Sequence, residues 1–197
     1  MNRRQFLRLG GVGAAGLLAS YSVFIERYIV LTNHYLIPVP NLPPAFSGFR
    51  IVQLTDLHYG SLVPLAIIRS VIHRANRLKR DLIVCTGDYV HERKATTQID
   101  AVWPFLAELN APFGVHSVLG NHDHWADTER SQYWLHKTNQ DLRHKVKAIE
   151  KGGEKLWVAG AALPCVIFFI MRGGPVLGNI GSSRMAATTK PCTMKLI

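Results

Sequence analysis

No aspartate or glutamate follows Glu154 in this 197-residue chain, no histidine follows His144, and no cysteine stands in a C-x-x-C pair. Each absence excludes something. Three scattered cysteines, Cys85, Cys165 and Cys192, form neither a disulfide framework nor a thiolate metal motif. Cys85, flanked by apolar residues, reads as a buried core residue. No internal repeat or low-complexity segment is present. From Lys155 onward the chain has 43 residues and no acid, where about five would be expected at ordinary composition. Such a tail was not selected within the preceding fold, and a shift of reading frame explains it best. Its apolar run, Val166 to Met171, is far too short to span a membrane.

The net charge of +10 suggests nucleic acid or a membrane surface until it is placed along the chain. Arg3, Arg4, Arg8 and Arg27 face only Glu26 in the first 27 residues. Lys155, Arg172, Arg184, Lys190 and Lys195 are unopposed in the tail. The stretch between is close to neutral, so no basic face is demanded and no nucleic-acid partner is expected.

Residues 1–27 place Arg3-Arg4 and Phe6-Leu7 ahead of an apolar, Gly/Ala-rich stretch from Leu9 to Ile25. Basic residues followed by an apolar stretch form the export pattern, and this one resembles a twin-arginine signal. The implied partners are the twin-arginine export machinery and, through residues 9–25 if retained as an anchor, the membrane. The implied location is the extracytoplasmic face of the inner membrane, or the periplasm or cell envelope.

Residues 28–48 read as a short strand, Tyr28 to Leu31, and a proline-rich lead-in. An α/β rhythm then begins. Apolar strands are expected at Phe49–Leu54, Leu82–Thr86 and Val115–Leu119. Leu65, Ile68, Val71, Ile72, Ala75 and Leu78 recur at helical spacing. Ile99 to Leu109 marks a second helix begun or kinked at Pro104, and Asp127–Lys137 a third. Val146–Ile149 and Leu156–Ala159 flank Gly152-Gly153 as a hairpin.

The three strands end alike: Asp56-Leu-His58, Gly87-Asp88 and Gly120-Asn-His-Asp123. Sites in open α/β sheets form beyond the carboxyl ends of strands, so carboxylate, imidazole and amide groups reach one region. Oxygen and nitrogen donors without thiolate suit Mn, Fe or Zn. A single Asp or Asn after a strand is usually a turn former; the ordered recurrence is what points to a metal site. His34, His73, His91, His116, His136 and His144 read as structural or surface residues.

Leu54-Thr-Asp-Leu-His58, Thr86-Gly-Asp88 and Leu119-Gly-Asn-His-Asp123 resemble the first three signature motifs of calcineurin-like metallophosphoesterases. Phe46-x-Gly48 to Leu54 and Pro112 to Gly120 resemble a bacterial exported branch. The resemblance covers about residues 28–160 and implies two divalent metals and a phosphate-ester substrate, lipid-linked or nucleotide. By that resemblance Asp56 and His58 bind the first metal, Asp88 bridges, and Asn121 binds the second. His122 stabilises or protonates the leaving oxygen, with Asp123 orienting it.

The family pattern continues with a further histidine and a Gly-His-x-His motif that residues 145–197 do not supply. The expected fold is therefore α/β, the N-terminal part (49–160) of a two-sheet αββα sandwich, incomplete, followed by a disordered non-family tail (161–197). One metal, weakly bound, is expected here. The expected function is a metal-dependent phosphoesterase of little or no activity. A non-catalytic metal-binding remnant, or a basic membrane-surface or nucleic-acid binder, are the competing readings.

Overall fold

A computed structural model describes residues 2–24, 29–161, 166–170 and 192–196. The chain divides into two units, Met1–Thr32 and Asn33–Ile197. The first holds one helix, α1 (Arg3–Phe24). No helix among the described residues is long and apolar enough to cross a membrane.

The second unit contains β1 (Tyr35–Val39), β2 (Arg50–Leu54), α2 (Leu65–Arg77), β3 (Leu82–Cys85), α3 (Thr96–Leu106), β4 (Val115–Ser117) and α4 (Asn121–Lys137). β5 (Lys145–Lys151), β6 (Glu154–Ala161), β7 (Val166–Ile170) and β8 (Cys192–Leu196) complete it. One sheet has the order β1-β8-β2-β3-β4, the other β5-β6-β7. The β2-β3-β4 pairs are parallel, and β5-β6-β7 is antiparallel.

Strand periodicity sorts the core into two layers. Val52, Ile83 and Cys85 join Ile68, Ile72, Ile99, Val102, Trp103 and Leu135 from the helices. Ile51, Leu82 and Val84 point the other way, to Ile149, Leu156 and Val158 of the second sheet. β3 is buried on both faces, which is why it reads as an unbroken apolar run. Helices on one side and a second sheet on the other are the layers expected of an incomplete αββα sandwich.

Three elements differ from the sequence expectation. The strand near the start lies at Tyr35–Val39, not at residues 29–31, and Tyr28 is outside the described residues. Pro38 is tolerated there because β1 is at the edge of the sheet. α4 starts six residues early, at Asn121, and is broken at Asp127 by extended backbone (φ −173°). The Asp127 carboxylate accepts the Arg130 N–H at 3.0 Å and starts the second segment as a cap would. Two segments of the presumed tail, β7 and β8, are strands, and the remainder of it lies outside the described residues.

On β4, His116 is 7% exposed and its Nδ1 has no hydrogen-bond partner. Burial, and then Lys147, hold its pKa down at about 4 against an ordinary 6.5. The unfolded chain therefore takes up a proton that the folded chain refuses. This contribution is whole above pH 6.5 and is lost as pH falls towards 4, up to about 3 kcal/mol. His116→Leu should flatten the fall of the urea midpoint between pH 7 and 4.5. The same slope in both proteins would refute the assignment.

Candidate metal centre at the strand ends

The loop after β2 runs alongside the loop after β3 and is stitched to it by main-chain bonds. Asp56 N donates to Gly87 O (3.2 Å), His58 N to Asp88 O (2.9 Å) and Tyr59 N to Tyr89 O (2.9 Å). Asp56, His58 and Asp88 all take left-handed backbone, with φ of 54°, 46° and 55°. Non-glycine residues held there cost free energy and cluster at functional sites.

The third loop closes against the second through two glycines. A Cβ on Gly87 would lie 2.2 Å from Gly120 N, and one on Gly120 would lie 2.1 Å from Asp88 Oδ1. The glycines of the two motifs therefore answer to a single close approach, and Gly87 also needs φ +93°.

Asp88 Oδ1 accepts the His122 N–H at 2.9 Å, so the first turn of α4 points a donor at this carboxylate. Asn121 stands between Gly120 and His122, whose N–H reaches Asp88. Donor atoms of Asp56, His58 and Asp88 lie within 4.8 Å of one another. Ligand atoms about 2.0–2.2 Å from one ion have such separations. His58 Nε2 is 3.5 Å from Asp56 Oδ1, and its Nδ1 is buried without a hydrogen-bond partner. A carboxylate–imidazole set with an orphaned ring nitrogen fits a divalent ion. Cys85 takes no part: burial pushes its thiol up to about 12.

Asp123, expected to orient His122, turns its carboxylate to main-chain donors instead. Its carboxylate is 1% exposed and accepts N–H bonds from Asp88 (2.8 Å), Tyr89 (2.9 Å) and Gly120 (2.8 Å). Burial pushes its pKa up to about 7, against the pull of these donors. The partner of the His122 ring is instead the backbone carbonyl of His91, 2.8 Å from Nδ1. Asp123 ties the second loop to the third, and His91 orients His122.

His91, read from the sequence as a structural or surface residue, lies beside His58 and His122. Its ring is 5.4 Å from His58 and stacked 5.4 Å from His122, while His58 and His122 are 4.6 Å apart. The one signal for it was its position three residues after Asp88, past the buried Tyr89 and Val90. Trp125, 44% exposed, packs on His122 at 4.8 Å and carries the Arg93 guanidinium over its face at 4.3 Å.

Residues 49–189 match the family model described as calcineurin-like phosphoesterase. The chain is 39% identical over 130 residues to "Uncharacterized metallophosphoesterase YkuE" of Bacillus subtilis, covering 63% of this chain and 46% of that protein. It is 40% identical over 87 residues to UDP-2,3-diacylglucosamine pyrophosphatase LpxG of Chlamydia trachomatis, covering 43% of this chain and 26% of that one. Against phosphodiesterase YaeI of Escherichia coli it is 37% identical over 88 residues, 43% of this chain and 31% of that one. The chain spans less than half the length of each of these relatives.

Proposed function

The chain belongs to the calcineurin-like phosphoesterase family, and from that premise we propose that its strand-end site hydrolyses phosphate esters with the help of divalent metal. The grouping of Asp56, His58 and Asp88, with the start of α4 aimed at Asp88, carries the reading. Metal held there would supply a hydroxide near neutral pH and positive charge against the transition state. Asp56, His58 and Asp88 would hold a first ion, and Asp88 with Asn121 would offer donors to a second. His122 in its cationic form donates a proton from Nε2 to the leaving oxygen, while Nδ1–H stays on the His91 carbonyl.

The donor count sets how fast this chain works alone. Among the residues of the three motif loops, a second ion would find Asp88 and the neutral amide of Asn121. One ion, loosely held, and turnover well below the usual ~1–10³ s⁻¹ are the expected result. With an aryl phosphodiester and Mn, slow release that is lost in Asp88→Asn would support the reading. Release indifferent to chelator and to Asp88→Asn would sink it. Metal binding by calorimetry without any turnover would assign the chain as a metal-binding remnant, the second reading that the donor count favours.

A lipid-linked or nucleotide phosphoester is the proposed substrate class, supported by the name of the chlamydial relative. Export to the extracytoplasmic side is proposed from Arg3-Arg4 and Phe6-Leu7 at the head of α1. Changing both arginines to lysine should hold the protein in the cytoplasmic fraction, and undiminished export would exclude the twin-arginine route.

A further inference from the structure

We propose that His58, His91 and His122 form a three-imidazole site for a borderline divalent ion such as zinc or cobalt, beside the carboxylate set and sharing His58 with it. Donor nitrogens of the three rings lie within 4.8 Å of one another, and all three side chains are only partly buried, so an ion can reach them. Three imidazoles with an open position match the donor count of catalytic zinc sites.

Two further observations point to a ligand. His122 Nδ1 lies 2.8 Å from the His91 backbone carbonyl. A carbonyl only accepts, so Nδ1 carries the hydrogen and the Nε2 lone pair of the neutral ring is left free. Metal-binding histidines are habitually held this way, by a backbone oxygen on the other nitrogen. His58 Nδ1 is buried and unpartnered, which costs free energy unless something takes it. The His91 ring arrives on a fixed backbone, since its N–H donates to Tyr59 O at 3.0 Å and Tyr59 N to Tyr89 O at 2.9 Å.

Donor chemistry separates the two positions. Asp56 and Asp88 make the first oxygen-rich, suited to manganese. The second is all nitrogen, suited to zinc, cobalt, nickel or copper. Because both draw on His58, filling one weakens the other. An ion on the imidazole set also occupies His122 Nε2 and withdraws that ring from proton transfer, a consequence that rests on the hydrolase reading. Binding itself does not.

The experiment uses the full chain and reads binding, not turnover. Zinc is titrated in competition with a chromophoric chelator, and the histidine ring nitrogens are followed by ¹⁵N NMR. Zinc should shift the ring nitrogens of His91 and His122. His91→Gln should weaken zinc by at least ~10-fold, as loss even of a supporting group does, with manganese affinity kept within about threefold. Asp88→Asn should do the reverse. The substitution at 91 leaves its backbone carbonyl in place, so His122 keeps its partner. Unmoved His91 resonances in the parent chain at saturating zinc would overturn the proposal, as would equal zinc affinity in a folded His91→Gln. Absent Mn-dependent turnover would leave this result standing and count only against the hydrolase.

Discussion

Gly120→Ala is expected to cost about 3 kcal/mol or more of folding stability, at the upper end for overpacking, and to remove manganese binding with it. The backbone is not the reason. Gly120 has φ −90° and ψ 178°, which any residue adopts. The reason is the added methyl, 2.1 Å from Asp88 Oδ1 and 2.5 Å from Asp88 N. Neither atom is the tip of a long flexible chain, so the loop carrying Asp88 must move. Gly87→Ala should be worse, since it meets Gly120 N at 2.2 Å and also forces alanine to φ +93°. Gly48→Ala is the control, with φ +72° but open space around it, and about 1 kcal/mol is expected from backbone strain alone. Urea unfolding and manganese calorimetry on the three variants decide it. A Gly120→Ala protein with parental midpoint and affinity would show that the two loops do not touch as described.

Asp123→Ala carries the second large effect, on the order of 3–6 kcal/mol, because two buried N–H donors and a third, part-buried one lose their acceptor at about 1–3 kcal/mol for each fully buried group. Asp88 and Tyr89 on one loop and Gly120 on the next would all be left unpaired. Asp123→Asn should be milder, since an amide oxygen still accepts while its NH₂ faces donors. The comparison separates two roles. A residue that only orients His122 would lower turnover and leave the urea midpoint alone. A clasp between loops lowers the midpoint whether or not any substrate is present.

The motif residues were legible because a strand buried on both faces is a continuous apolar run and its polar terminus stands out, as with Leu82–Cys85 before Gly87-Asp88. Spacing along the chain brought Asp56, His58 and Asp88 to one place. It could not show which way Asp123 turns, because an acid at the third position of a helix can reach back to the N–H before the helix, and here it does. That same string, Asn-His-Asp-His-Trp, hides the first turn of α4 by looking like a loop. His91 was hidden by the two core residues that separate it from Asp88. The pairing of Tyr35–Val39 with Cys192–Leu196 was not readable at all, since neither segment alternates cleanly and their register, Tyr35 on Leu196, joins distant parts of the chain.

That pairing sets an order of events on the ribosome. β2, β3 and β4 emerge in succession and can zip together as they appear, carrying the three ligand loops with them. β1 emerges before all of them, yet among the described strands its only neighbour is β8. About 150 residues must be added between the two, roughly 8–30 s at ordinary synthesis rates. Throughout that interval β1 lacks the described strand it pairs with and is open on both edges, the kind of surface on which a neighbouring nascent chain can add a strand. Pro38, which has no N–H to offer such a ladder, guards the edge until the late strand arrives.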